Sequence, residues 1–263
     1  MKKILFMIGV VVASMQATTA QAQAFMGTGR ANDDKMIFNH LSVGVGVGSD
    51  GWGLEVAAPL TPYVSVRTGF SSLPTIKFNV DDVTIHKSNG TKVADYADVN
   101  FKLFQKMTNW KLLFDVHPFK TSSFRVTLGA YIGGDELAFA ELDEPLPTHA
   151  HDYIRIGDER VIIKSDGYTD AKVKVNNFKP YVGIGFGRAV KSTPGLNFNF
   201  DLGVQFWGKP KLYGWTLDDF GTEVYKELDY GSTDNDDAKK AAKWVSKLKV
   251  WPTINFRLTY TIF

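Results

Sequence analysis

The sequence contains no cysteine, which excludes a disulfide framework, a thiolate metal site, a cysteine nucleophile and a lipidated cysteine behind a signal peptide. It also has almost no charge of one sign in excess. Thirty Lys and Arg face 28 Asp and Glu, for a formal +2 at pH 7, so the basic surplus of a nucleic-acid binder is missing. Long hydrophobic runs are absent too, since no stretch approaches the roughly 20 apolar residues of a membrane-spanning helix. What the 263 residues do hold is 44% hydrophobic and 13% aromatic side chains. That is too apolar for a disordered chain and enough for one large domain or two small ones.

The first 24 residues read as an address. Lys2 and Lys3 precede an apolar run of ten over residues 4–13, and Ala20-Gln21-Ala22 and Ala22-Gln23-Ala24 supply two A-x-A cleavage sites. The expected organisation is a signal peptide over 1–24, an N-terminal periplasmic segment over 25–40 and a barrel domain over 41–263. Removing the two lysines brings the formal charge to zero.

From residue 41 onward the pattern has a period of two, the period of strands. Val43, Val45 and Val47 alternate with glycines; after a turn at Ser49-Asp50-Gly51, Trp52, Leu54 and Val56 alternate with Gly53, Glu55 and Ala57. Pro59 and Pro62 break that run. A third places Val64, Val66 and Phe70 opposite Ser65, Arg67 and Gly69, and a fourth places Trp110, Leu112, Phe114 and Val116 opposite Lys111, Leu113, Asp115 and His117. The fifth alternates from Phe124 to Ile132 against Arg125, Thr127, Gly129 and Tyr131; the sixth has Val182, Ile184 and Phe186 against Tyr181, Gly183 and Gly185. The seventh runs unbroken from Leu196 to Phe206 against Asn197, Asn199, Asp201, Gly203 and Gln205. The eighth, from Ile254 to Ile262, opposes Thr253, Asn255, Arg257, Thr259 and Thr261.

Between these runs lie polar loops over 81–98 and 141–172, the second admitting its own hairpin at 153–156 and 161–164. A third long segment carries a helical stretch over 236–247, opening on Asp236 and Asp237 and closing on Lys247. Ala241, Trp244, Val245 and Leu248 form a narrow apolar stripe there, expected to cap the rim.

One face of each run is large and apolar, whereas the other is mostly Gly, Asn, Thr, Asp and Arg, a poor soluble core and a good polar barrel interior. Short and long connections alternate as well, apart from the tight turn at Ser49. The fold class expected is all-β: an eight-stranded antiparallel transmembrane β-barrel with long outer loops and one short helix.

The final strand ending in Phe263, Trp251 and Tyr260 near its two ends, and the signal peptide together resemble the small outer-membrane β-barrel proteins of Gram-negative bacteria, the OmpA/OmpX-like and OmpW-like group. Gly51-Trp52-Gly53-Leu54-Glu55, Asp115-Val116-His117-Pro118-Phe119 and Pro180-Tyr181-Val182-Gly183-Ile184-Gly185 are similar to stretches in such families. The resemblance implies residence in the cell outer membrane, with membrane lipid and the barrel-assembly machinery as partners and Tyr260, Ile262 and Phe263 as the C-terminal assembly signal. One departure stands out. Members usually carry hydrophobics at the last, third-last and fifth-last positions, whereas Tyr260 and Leu258 are one step out of phase with Phe263.

The inward faces carry Glu55, Asp115 and Asp201 against Arg67, Arg125 and Arg257. Equal numbers of opposite charge in a narrow interior suggest a paired network that fills the lumen. The function expected is therefore structural or surface-binding and non-enzymatic, with a surface ligand engaged through the outer loops. The alternatives are a narrow channel for small or apolar solutes and an envelope lipid hydrolase. Catalytic candidates are thin: Asp115 and His117 share a face, but spacing alone puts no Ser65 beside them. His149, His151 and Asp152 lie in a polar loop without a further ligand, so no metal or cofactor is expected. The Gly-x-Gly runs at 44–48 and 183–187 lie inside strands and are not phosphate loops.

Overall fold

The computed structural model describes residues 38–89, 91–119, 122–156, 159–228 and 249–263. The expected signal peptide and the helical stretch at 236–247 lie outside them. Eight strands close into an antiparallel barrel: β1 (Ser42–Gly48), β2 (Gly51–Thr61), β3 (Val64–Ser72), β6 (Thr108–Val116), β7 (Phe124–Gly133), β12 (Phe178–Phe186), β13 (Gly195–Phe206) and β16 (Val250–Thr261). These are the eight runs of period two, each paired with its sequence neighbour in the barrel. β1 and β16 close the ring, with Ser42 opposite Thr261 and Gly48 opposite Asn255.

The burial pattern follows the alternation. In β12 every second residue from Lys179 to Gly185 is buried and every residue between them is exposed. Side chains on the outer face are apolar in the middle of the strands, among them Leu54, Val56, Leu128, Val182, Ile184 and Leu202. Exposed aromatics stand in mid-strand at Phe114 and Phe256 and line the two rims. Trp52, Trp110, Phe178 and Phe206 stand at one, and Tyr63, Phe119, Phe186, Phe198 and Tyr260 at the other.

Where the sequence suggested a break at Pro59, β2 instead continues through Thr61, with a register shift between Pro59 and Thr61. A bulge lets the strand carry a proline that cannot donate to the ladder. The turn itself is only Pro62 and Tyr63.

The three long connections are not loops. They supply β4 (Ile76–His86), β5 (Lys92–Lys106), β8 (Glu136–Leu142), β9 (Tyr153–Ile156), β10 (Glu159–Ile162), β11 (Asp170–Lys174), β14 (Lys211–Leu217) and β15 (Glu223–Leu228). These form a second sheet in the order β10-β9-β4-β5-β8-β11-β14-β15. The hairpin expected at 153–156 and 161–164 pairs Tyr153–Ile156 with Glu159–Ile162, two residues earlier in its second strand. All the connections that build this sheet leave the barrel at one end, shared with the Ser49-Asp50 turn. The opposite end has short turns and both ends of the barrel domain, tied by the amide of Ile262 donating to the carbonyl of Leu41.

Candidate functional site

The six charged residues expected inside the barrel meet there. Each comes from a different strand, and their contacts form a closed loop of alternating sign. The Arg67 guanidinium donates from Nη2 to Asp115 Oδ1 at 2.9 Å, and its Nε lies 2.6 Å from Oδ2 as an ion pair. Arg67 also reaches Glu55 at 3.4 Å. Arg125 lies 3.6 Å from Asp115 and 2.5 Å from Asp201. Arg257 donates from Nε to Asp201 at 2.5 Å and from Nη1 to Glu55. The order Glu55, Arg67, Asp115, Arg125, Asp201, Arg257 is the order of strands β2, β3, β6, β7, β13 and β16 around the barrel. All six side chains are at most 4% exposed.

Two barrel strands contribute no charge to this loop, and at the crossing point each has glycine. Gly185 of β12 pairs directly with Arg125 on one side and with Asp201 on the other. A Cβ there would stand 2.7 Å from Asp201 Oδ1 and 2.8 Å from Arg125 Cζ, so the ion pair passes over a strand that has no side chain to obstruct it. On β1, Gly46 pairs with Arg257 and Gly44 with Glu55. A Cβ on Gly46 would approach Arg257 Cγ to 3.0 Å. Glycine is used here for close approach rather than for backbone freedom.

Two cations of the interior go beyond the equal count expected. Lys111 Nζ sits 3.1 Å from Glu55 Oε2. Lys179, fully buried, donates to Asn109 Oδ1 at 2.8 Å and to the carbonyls of Gly133 and Gly134 at 2.7 Å each. The inward faces of the barrel strands thus carry five cations and three carboxylates among the described residues. Alternation already put Lys111 opposite Trp110. Lys179 lies two residues before Tyr181 on the same face, masked by the outward-facing Pro180.

Every carboxylate of the loop is held by at least two cations, and Asp115 also accepts from Thr127 Oγ1 at 2.7 Å. Within the loop, none of the three acids is left without a cation. Ser65 does lie directly opposite Asp115 in the register, and His117 follows on the same face. The Ser65 hydroxyl and His117 Nε2 are nevertheless buried without a hydrogen-bond partner among the described residues, so the three do not form a nucleophile relay.

Outside the barrel, His149 Nδ1 faces Asp152 Oδ2 at 3.0 Å, while His151 Nε2 faces Glu223 Oε1 at 3.1 Å. Glu223 Oε1 also accepts from the Ser165 hydroxyl at 2.5 Å, which is the largest reason its pKa lies below the usual carboxylate range. Ser165 and Glu223 address the same imidazole nitrogen, whereas a relay needs opposite ones. No group of three or more His, Asp or Glu among the described residues is placed to hold a metal ion.

At the end from which the long connections leave, an apolar cluster continues the inward-facing ranks. Leu73, Met107, Trp207 and Trp251 extend the inward faces of β3, β6, β13 and β16, and Leu137 and Val175 join them from the second sheet's connections. Trp207 and Trp251 stack at 4.5 Å and 6°. Their indole N–H groups donate to Gln205 Oε1 and to the carbonyl of Ser49, which ties the cluster to the barrel rim.

The architecture is a closed barrel of eight antiparallel strands, apolar outside and charged within. No family model matches the sequence, and no curated protein matches it. Among solved structures the chain is similar to CarO2 of Acinetobacter baumannii, with 16% identity, a TM-score of 0.47 and coverage of 86% of this chain and 100% of that one. CarO of the same species gives 17% identity, a TM-score of 0.44 and coverage of 86% and 98%. A major outer membrane protein of Thermus thermophilus gives 15%, 0.38, and 85% and 99%.

In the last strand, Phe256, Leu258 and Tyr260 point outward while Thr259 and Thr261 are buried inside. Ile262 continues the outward rank beyond the strand end, and Phe263 falls out of it.

Proposed function

We propose that the chain is an integral outer-membrane protein, exported by a cleaved signal peptide, that performs no catalysis. Its barrel spans the membrane with the short turns on the periplasmic side and presents the second sheet to the surface. The observation that carries this is the inside-out distribution. A band of Leu, Val, Ile and Phe between two aromatic rims suits hydrocarbon and its interfaces, and a closed barrel is the form in which strands satisfy their backbone in lipid. Arg in place of Phe200, which lies near mid-strand on the outer face, should lower refolding stability in lipid vesicles by roughly 2–4 kcal/mol. Leu there should cost far less. Equal effects would show that Phe200 does not face lipid.

Within that membrane reading, the lumen is plugged rather than conducting. The charge loop crosses it from wall to wall and the apolar cluster lies across one mouth, two obstructions in series. An eight-stranded barrel is only wide enough for side chains to fill, and here they are long and mutually bonded. Purified full-length protein in planar bilayers should give no current steps above leak. Regular steps from the unaltered protein would favour a narrow channel instead.

A further inference from the structure

The second sheet is not flat. Its strand order puts β10 at one edge, yet Val161 of β10 packs over Gly214 of β14: a Cβ on Gly214 would lie 3.1 Å from Val161 Cγ2. The sheet therefore curls back on itself with an apolar inner face. On that face Ala140, Ala171 and Gly214 are direct cross-strand partners on three successive strands, β8, β11 and β14. Val161 takes up the space over Gly214, whereas the small side chains of Ala140 and Ala171 leave space that larger neighbours do not fill. The result is a cavity of about 130 Å³ walled by Val99, Leu142, Ile154 and Val161.

One polar group stands in this wall without a partner. Thr169 is only 6% exposed, lines the cavity, and has an Oγ1 with no hydrogen-bond partner among the described residues. A buried hydroxyl left unpaired costs more than the bond it lacks, so an occupant that supplies the missing bond is favoured. The charged groups at the border, Glu141, Arg155 and Asp170, carry both signs, which gives an ion no advantage. Size sets the upper limit, because a dry apolar cavity of ~150 Å³ takes up benzene.

From these observations we infer that the curled second sheet is a binding site for a small uncharged molecule, mostly hydrocarbon, with one polar group bonded to Thr169. Phenol has the size and the single hydroxyl that the cavity calls for. The site is separate from the lumen and stands whether or not the lumen conducts.

Phenol and toluene serve as probes, titrated into full-length protein in lipid nanodiscs and followed by methyl NMR. Saturable shifts are expected at Val99, Leu142, Ile154 and Val161, while the outer-face methyls of Val182 and Ile184 change only in proportion to probe dissolved in lipid. Thr169→Val should weaken phenol binding about tenfold and leave toluene unchanged, the effect of one hydrogen bond. Ala171→Leu should abolish both; if that variant does not fold, Ala140→Val fills the same space. The inference is overturned if the cavity methyls show no saturable shift, or if filling the cavity leaves their response intact. An equal loss for phenol and toluene in Thr169→Val overturns the role given to the hydroxyl.

Discussion

Asp201→Ala should cost the barrel roughly 3–5 kcal/mol, the usual penalty for leaving a buried charge without its partner, read by urea unfolding from lipid vesicles. Asp201 is the acid with most at stake. Arg125 and Arg257 both lie 2.5 Å from it, and Arg67 Nη2 is 3.6 Å away. Without it, three guanidinium groups share two carboxylates inside a dry wall. A second substitution should recover part of the loss. Arg257→Ala or Arg125→Ala in the Asp201→Ala background should show coupling of roughly 1–3 kcal/mol, with Arg67→Ala giving less. By contrast, the Lys102–Glu141 pair in the second sheet has the same 2.5 Å separation but is 23% and 36% exposed. Breaking it should cost less than about 1 kcal/mol. If all the double variants are additive, the charges are separately solvated and the lumen is wet.

The largest expected change in function comes from breaching both obstructions together. Asp201→Ala with Arg257→Ala removes a matched pair and opens the loop, yet the apolar cluster remains. Trp207→Ala opens the cluster, yet the loop remains. In planar bilayers each should stay silent, and the combination should conduct at levels orders of magnitude above leak. The current should prefer anions, because Lys111 and Lys179 leave the interior with more cations than carboxylates. If the loop variant alone conducts, the Trp207–Trp251 stack is packing and not a barrier.

The barrel was legible because each of its strands turns one face to a polar interior and carries apolar side chains on the other, the condition that writes a period of two into a sequence. The six charges of the loop could be collected for the same reason, although their partners could not be named, since pairing depends on register between strands far apart in the chain. Of the second sheet only the β9–β10 hairpin was legible, two residues off in its second strand. From Ile76 to Asp82, β4 is exposed on both faces, so no environment imposes alternation, and its stretches read as polar loops. The cavity was hidden more deeply still: Ala140 and Ala171 lie 31 residues apart and become neighbours only through strand pairing.

The passage of ion pairs over glycine has a consequence for how the barrel is assembled. A strand slipped by one residue turns every side chain to the other face. For β13 that error would swing Asp201 into lipid, strand Arg125 and Arg257, and present Phe200 or Leu202 to the charges. For β12 it would set Ile184 or Phe186 in the path that Gly185 leaves clear. β1 and β16, which come from opposite ends of the domain, can join Arg257 to Glu55 only when Gly46 and Gly44 stand between them. The loop of charge therefore works as a combination lock on strand alignment: a one-residue slip of any of its six strands leaves a carboxylate or guanidinium in hydrocarbon, and a slip of β1 or β12 sets a side chain in the path of an ion pair.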